Sequence, residues 1–335
     1  MVRIVVDGMG GDHAPAAVIK GIKMFFEKGA ADTNIICVCP EEKFKQEADE
    51  IDARLIPVYC EGYIPMDTKL SLSIMRNKDT SMHRAIQMLK NNEADVAFSA
   101  GNTAIFVSIA VSELGLLKGV DRPGICVHLP NLRDRLTLLI DAGATVSPKP
   151  VNLYQYAIMG SLYAKHVLNI ENPSLGLLNV GAEPGKGDEL RQNVYKMLVS
   201  NQTLNFIGNV EGHEVFMGKA DVIITDGFSG NIVLKVGEEV GRAFKSMMLR
   251  EINRSISGKI GFFIARNSIK SYVRKTDYAE YGGGVLLGVN GIVIVGHGRS
   301  SPRAIHHAIL LGEKIASSRF FATLKEHTEK WVPVS

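Results

Sequence analysis

The sequence predicts an α/β fold of three layers, α/β/α, built on a mainly parallel sheet. Short apolar runs of strand length alternate with stretches of helical period along the whole chain. Five of those runs empty into loops of glycine and small polar residues, as strand carboxyl ends do in open α/β sheets. No repeat of fixed period and no Pro/Gly/Ser-rich linker interrupts the 335 residues. Residues 1–330 therefore read as one domain of two lobes, with a basic arm over 246–278 within it.

The first predicted strand, Arg3–Asp7, ends in Asp7-Gly8-Met9-Gly10-Gly11-Asp12-His13, and Pro15 stands where a helix can begin without losing a hydrogen bond. Strands are predicted over Asn34–Cys39 and Arg54–Cys60, with a charged helix over Glu41–Glu50 between them. Asp79-Thr80-Ser81 supplies cap chemistry for a helix to about Lys90. The run Asp95–Ser99 opens into Ala100-Gly101-Asn102-Thr103 before an apolar helix, Ala104–Leu117. Gly124–Leu129 and Leu136–Ile140 read as strands, the second ending in Asp141-Ala142-Gly143-Ala144, and a helix follows over Asn152–Val167.

Leu175–Val180 leads into Gly181-Ala182-Glu183-Pro184-Gly185-Lys186-Gly187 and a helix from Asp188 to about Val199. After a strand at Leu204–Val210 comes Asp221–Asn231: a short buried strand, Val222–Thr225, a loop of Asp226, Gly227, Ser229, Gly230 and Asn231, and the helical run Val233–Phe244. Such a helix start aims unpaired N–H groups and the positive dipole end at the loop. Val285–Leu287 and Ile292–Val295 are short strands before Gly296-His297-Gly298-Arg299-Ser300-Ser301 and one long C-terminal helix.

Composition is that of an ordinary globular protein, with 46% hydrophobic and 22% charged residues. A net charge of +3 gives no ground for a nucleic-acid role. Cys37, Cys39, Cys60 and Cys126 lie in or beside apolar runs without CxxC spacing, which favours free thiols over a metal site. The N-terminus enters a strand within three residues and is no signal peptide, and the longest uncharged stretch, Tyr281–Gly296, is broken by glycines. A cytoplasmic protein is expected.

The five loops share one chemistry, that of an anion cage: glycines let backbone N–H groups approach, Ser, Thr and Asn donate, and Lys186 and Arg299 carry charge. Taken singly, each is equally well a turn. There is no GxxxxGK[ST], no GxGxxG and no GxSxG, so P-loop, dinucleotide and nucleophile-elbow readings fail. His13, His213 and His297 sit in strand-end loops, where hydrogen-bonded structural histidines are commoner than bases. Lys186, between two glycines, reads either as a solvated lysine or as an anion ligand.

The modest net charge conceals a local one. Lys245–Lys275 holds eight basic residues and a single acidic one, Glu251. Within it Ile256, Ile260, Phe263 and Ile264 recur at helical spacing, bordered by Lys259, Arg266 and Lys270. An apolar stripe edged with cations suits a helix on an anionic membrane or a groove for an acidic protein. The alternative is a helical hairpin packed on the body or on a second copy of the chain, and nucleic acid ranks third.

The motifs DGMGGDHAP, SAGNT, DRP, LLIDAGA, QYAIMGS, GLLNVGAEPGKGDEL, NFIGNVEG, ADVIITDGFSGN and YGGGVLLG, in one order from residue 3 to about residue 315, closely resemble the PlsX family of phosphate acyltransferases. The resemblance implies transfer of a fatty acyl chain from acyl carrier protein to inorganic phosphate, giving acyl phosphate for phospholipid synthesis. It also implies a fold similar to phosphate acetyltransferases and isocitrate/isopropylmalate dehydrogenases, no cofactor, no metal, a homodimer, and peripheral association with the inner face of the cell membrane. Lys186 and Asn231 are implied to serve the reaction, with Asp7, Gly10, Gly11, Asp12, Ser99, Asn102, Thr103 and Gly230 lining the site. The chain departs from the pattern at Gly8, at Ala104-Ile105 and at Thr145, and Ile105 and Phe106 are the expected modifiers of an acyl pocket.

Overall fold

In a computed structural model of the chain, residues 1–28, 32–47, 52–276 and 280–331 are described, without the side chains of 270, 271 and 273–276. The elements are β1 (Val2–Asp7), α1 (Ala16–Glu27), β2 (Thr33–Cys39), α2 (Glu41–Glu47), β3 (Leu55–Tyr59), α3 (Leu72–Arg76), α4 (Ser81–Lys90), β4 (Val96–Ser99), α5 (Thr103–Leu114), β5 (Gly124–Pro130) and β6 (Leu136–Ile140). There follow α6 (Pro150–Val167), β7 (Ser174–Asn179), α7 (Glu189–Ser200), β8 (Asn205–Glu211), a 3-10 turn at Gly212–Met217, β9 (Val222–Ile224), α8 (Gly227–Asn253), α9 (Ile256–Thr276), β10 (Gly284–Leu287), β11 (Ile292–Val295), α10 (Pro302–Ser317) and α11 (Phe320–Glu329).

Among the described residues the strands form one sheet in the order β3-β2-β1-β4-β11-β10-β5-β6-β9-β7-β8. Its alternate residues feed two cores, as a period of two requires. Ile4 and Val6 pack with α1, α6 and α10 on one face, while Val5, Ala97 and Val293 pack with α4 and α5 on the other. This is the expected three-layer α/β/α arrangement. The cysteines are free, and Cys37, Cys39 and Cys126 are buried.

Most pairings are parallel, but β10 is antiparallel to β11 and β5, and β5 is antiparallel to β6. Consequently β3-β2-β1-β4-β11 and β6-β9-β7-β8 run in opposite directions. The strands at the junction are short, four residues in β4, β10 and β11 and five in β6. Through β10 and β5 the register puts Ile140, the last residue of β6, level with Ile294, the last but one of β11, so the loops of the two blocks open from the middle of one sheet.

Local chemistry explains the main differences from the predicted elements. Gly227–Asn231 is not a loop: Asp226 caps α8, its Oδ1 accepting from Ser229 N at 2.8 Å, so the helix already begins at Gly227. Gly115, at φ +72°, ends α5 three residues before the predicted Leu117. The C-terminal helix is two helices, broken at Ser318, whose extended backbone starts the turn into α11. The short helix α3 has no apolar period and was not predicted; Ser71 caps it.

α8 and α9 pack against one another as a hairpin. Ile252, Phe262 and Ile269 are partly covered, whereas Ile256, Ile260, Phe263 and Ile264 are exposed, as are Lys259 and Arg266. The Arg266 guanidinium lies 4.5 Å from the centre of the Phe263 ring. The side chain of Lys270 and residues 277 and 278 of the predicted arm lie outside the described residues. Among the described residues no helix is long and apolar enough to cross a membrane.

Candidate active site

The five glycine-rich segments fall into two groups, one for each block of the sheet. In the first, β1, β4 and β11 lie side by side and their loops interlock. Asp12 N donates to Gly298 O at 2.7 Å, and Gly11 holds φ +107° beside that carbonyl. A Cβ at Gly10 would come within 2.8 Å of Ala100 N. Asp7 and Ser99 are buried beneath these loops. Ser99 Oγ donates to Asp7 Oδ2 at 2.6 Å and accepts from Gly101 N at 3.0 Å, and Asp7 Oδ1 accepts from Met9 N. Burial raises the Asp7 carboxyl above its ordinary value, against the pull of the Ser99 and Met9 donors. A Cβ at Gly8 would meet Cys39 Cβ at 2.7 Å.

Asn102 caps α5: its Oδ1 accepts from Ile105 N at 3.2 Å. Its amide nitrogen donates to Met66 O at 3.0 Å and Thr68 O at 3.2 Å, which draws the segment between β3 and α3 over the loops. Asp7, Ser99 and Asn102 thus hold the loops in place, and the exposed Asp12 and Thr103 are left facing outward.

The second group follows β6, β7 and β9. Asp141, fully buried, accepts from Ile125 N, Gly143 N, Ala144 N and Thr145 N at 2.6–2.9 Å. Burial raises this carboxyl too, and the four N–H groups oppose the rise. Thr145 O in turn accepts from Gly227 N. A Cβ at Gly230 would overlap Asp141 O, so Gly230 is the residue that lets α8 approach. Asn231, next in the helix, is half-buried and lies against Gly143.

Lys186 is exposed in the loop after β7, where Asn179 Nδ2 donates to its carbonyl at 3.0 Å. Arg191, one turn into α7, joins this loop to α8. It pairs with Asp188 Oδ2 at 2.7 Å, donates to Ser229 Oγ at 3.2 Å and Leu178 O at 3.1 Å, and pairs with Asp226. Burial alone would raise Asp226, but the Ser229 donors and Arg191 hold it below its ordinary value. Arg191 was not singled out in the sequence. Its signal was there, as an arginine three residues after the acidic cap Asp188.

A cavity of about 740 Å³ spans the two groups, within the range of small-molecule sites. Asp12, Thr103 and Arg299 line it from the first group and Gly143, Ala144 and Asn231 from the second. Its walls are largely apolar: Met66, Val107, Ile125, Val127, Leu234 and Val295. Lys235 and Arg299 are exposed at the rim. Burial and the cations Arg242, Arg299 and Lys235 lower His297. Lys186, Asp7, Gly10, Gly11, Ser99, Asn102 and Gly230 do not line the cavity. Neither do Ile105 and Phe106, which are fully buried in the core behind it; on α5 it is Thr103, Ala104, Val107 and Ser108 that face the space.

Two sets of capped helix starts around an amphipathic cavity with a cationic rim define a site for an anion joined to an apolar chain. The chain belongs to the fatty acid synthesis protein family, the PlsX phosphate acyltransferases, which it matches over residues 2–323. It is 40% identical over 329 residues to a phosphate acyltransferase of Thermodesulfovibrio yellowstonii, covering 97% of this chain and 94% of that one. A phosphate acyltransferase of Desulfitobacterium hafniense is 40% identical over 332 residues, covering 98% of each. The fold is shared with the EutD phosphotransacetylase of Staphylococcus aureus, at a TM-score of 0.61 and 13% identity over 94% of both chains. A 4-hydroxythreonine-4-phosphate dehydrogenase from Klebsiella pneumoniae shares it at 0.51 and 12% identity, over 94% of this chain and 98% of that one. The expected dehydrogenase-like architecture is borne out, and the chain is an acyltransferase of fatty acid and lipid synthesis.

Proposed function

We propose that the protein transfers a fatty acyl group from acylated acyl carrier protein to inorganic phosphate and releases acyl phosphate. The observation that carries this is the cavity, largely apolar in its walls, with the half-buried Asn231 and the exposed cations Lys235 and Arg299 among its lining residues. A phosphate oxygen attacks the thioester carbonyl carbon, the C–S bond breaks, and the thiolate leaves and takes up a proton. Phosphate is partly dianionic near neutral pH and thiols ionise near about 8.5, so neither a covalent enzyme nucleophile nor a strong acid is required. The protein's contribution is positioning and oxyanion stabilisation, on the order of 3 kcal/mol for one well-placed donor. In this reading phosphate lies by the start of α8, Asn231 donates to phosphate or to the carbonyl oxygen, and Lys186 reaches in from the neighbouring loop.

The test is to incubate the protein with acylated carrier protein and phosphate and to measure acyl phosphate and free thiol together, with acyl-CoA as a competing donor. Thiol release without acyl phosphate would mean hydrolysis. A Lys186→Ala variant is expected to lose at least about tenfold in kcat/KM, roughly 1.4 kcal/mol. Steady-state kinetics equal to the parent's in folded protein would remove Lys186 from the mechanism.

The arm fits peripheral association with an anionic membrane, because the four apolar residues of its stripe are exposed beside Lys259 and Arg266. Its charge also suits an acidic carrier protein. An Ile260→Glu, Phe263→Glu protein is expected to stop floating with vesicles containing anionic phospholipid while still transferring acyl groups in solution. Persistent flotation would reject the membrane role of this stripe. A homodimer has a natural seam in the exposed ridge Phe228, Ile232, Val236, Val240 and Phe244 of α8, whose four-residue spacing is that of a packing ridge.

A further inference from the structure

A carboxylate stands in a cavity whose other features suit an anion. Glu238 lines the space from the face of α8 that carries Asn231 and Lys235, the spacings of four and three residues placing all three on one stripe. It lies about 10 Å along the helix from Asn231, and helical side chains lean back toward the N-terminal end. Its side chain is 10% exposed. Arg242 approaches it, but Nη2 stops 3.9 Å from Oε2, beyond hydrogen-bond length. The same guanidinium turns Nη1 to the exposed Glu239, whose Oε1 is 3.1 Å away.

Among the described residues no donor gives the Glu238 carboxyl a hydrogen bond, yet neither oxygen is sealed from open space. Burial raises this carboxyl above its ordinary value; Arg242 and Lys235 oppose the rise and Glu239 adds to it. An ionised carboxyl only accepts, and burying one without a donor is costly. A ligand seated against it must bring the donor. The methylenes and the thioester of an acyl donor have no N–H or O–H to offer. Monohydrogen phosphate has a P–OH group. Sulfate, a dianion of the same tetrahedral shape, has no proton near neutral pH.

On the reading that phosphate is held by Asn231 with the cations Lys235 and Arg299, we propose that Glu238 accepts the hydrogen bond of its P–OH group and so selects a protonated oxyanion. An oxyanion without a proton meets the carboxylate as a like charge with nothing to offset the repulsion. The contact also orients the acceptor. With the P–OH turned to α8, the unprotonated oxygens are the ones left to attack the thioester carbonyl.

The experiment is equilibrium dialysis of the protein with radiolabelled phosphate, above neutral pH, with arsenate, sulfate and fluorophosphate as competitors. Arsenate carries a proton as phosphate does; fluorophosphate has the shape and charge of monohydrogen phosphate without the proton. With the wild-type protein, arsenate should compete within about threefold of phosphate itself. Sulfate and fluorophosphate should be at least about a hundredfold weaker. In a Glu238→Gln protein that gap should close to about tenfold or less, because the amide can donate to an unprotonated oxygen. Glu239→Gln removes the same charge one residue away, on the solvent side, and should leave the preference as it was.

The wild-type comparison stands even if the Glu238 variant does not fold. Sulfate and fluorophosphate competing as well as arsenate would overturn the role of Glu238. So would a Glu238→Gln protein that keeps the wild-type preference and changes only KM for the acyl donor, or a Glu239→Gln protein that loses the preference equally. If the protein retains no phosphate, it is the proposed function that fails, and this inference with it.

Discussion

An Asp141→Ala protein is expected to be at least about 4 kcal/mol less stable than the parent. Four backbone N–H groups end on this one carboxylate. Each buried donor left without an acceptor costs roughly 1–3 kcal/mol, and the sum is moderated because solvent can enter around a truncated side chain. The damage spreads along the chain, since Thr145 both donates to Asp141 and accepts from Gly227 at the start of α8. Asn231 should lose its setting against Gly143 at the same time. Urea unfolding of the parent, Asp141→Asn and Asp141→Ala gives the comparison. The amide keeps one acceptor oxygen, so it should fall between the other two. An alanine variant within about 1 kcal/mol of the parent would show that these donors find water instead.

Asp141 also marks where the sequence was legible and where it was not. Strands and their glycine-rich ends were visible because apolar runs and turn residues are local signals. So were the caps: Thr80 accepts from His83 N and Asp188 from Arg191 N, each at a predicted helix start. Strand direction was not visible. Four apolar residues such as Gly284–Leu287 look the same running either way, and the antiparallel β10 and β5 turn what reads as one cluster of loops into two.

Gly227 and Gly230 misled for a related reason. Their composition is that of a loop, yet they are glycines because α8 packs against Asp141 and Thr145, a tertiary demand with no local sign. α5 shows a third limit. Apolar side chains surround it, so its periodicity cannot reveal that Ile105 and Phe106 enter the core while Ala104 and Val107 face the cavity. A resemblance between motifs identifies residues that matter without separating those that touch a ligand from those, like Asp7 and Asn102, that hold a loop in place.

Arg191 is where holding and reacting meet, and an Arg191→Met protein is expected to lose at least about a hundredfold in kcat/KM, roughly 2.7 kcal/mol. The guanidinium spans the caps of α7 and α8, Asp188 and Asp226, and so fixes the Lys186 loop relative to Asn231. Without it Asp226, with a side chain only 8% exposed, keeps its Ser229 donors but loses its cation. The effect on stability depends on pH with a definite sign. In the parent, Asp226 is held below its unfolded value, so the stability this pairing provides is present above about pH 4 and is lost as pH falls through the lower folded value. In the variant burial is opposed by less, and the folded pKa rises. The difference in unfolding free energy between parent and variant should therefore be largest near neutral pH and shrink as the pH drops below about 4. Arg191→Lys should recover part of the stability but little of the activity, because one ammonium cannot span acceptors on two helices. An Arg191→Met enzyme of parental activity would mean that the Lys186 loop and the start of α8 need no common anchor, and that phosphate is held by one of them without the other.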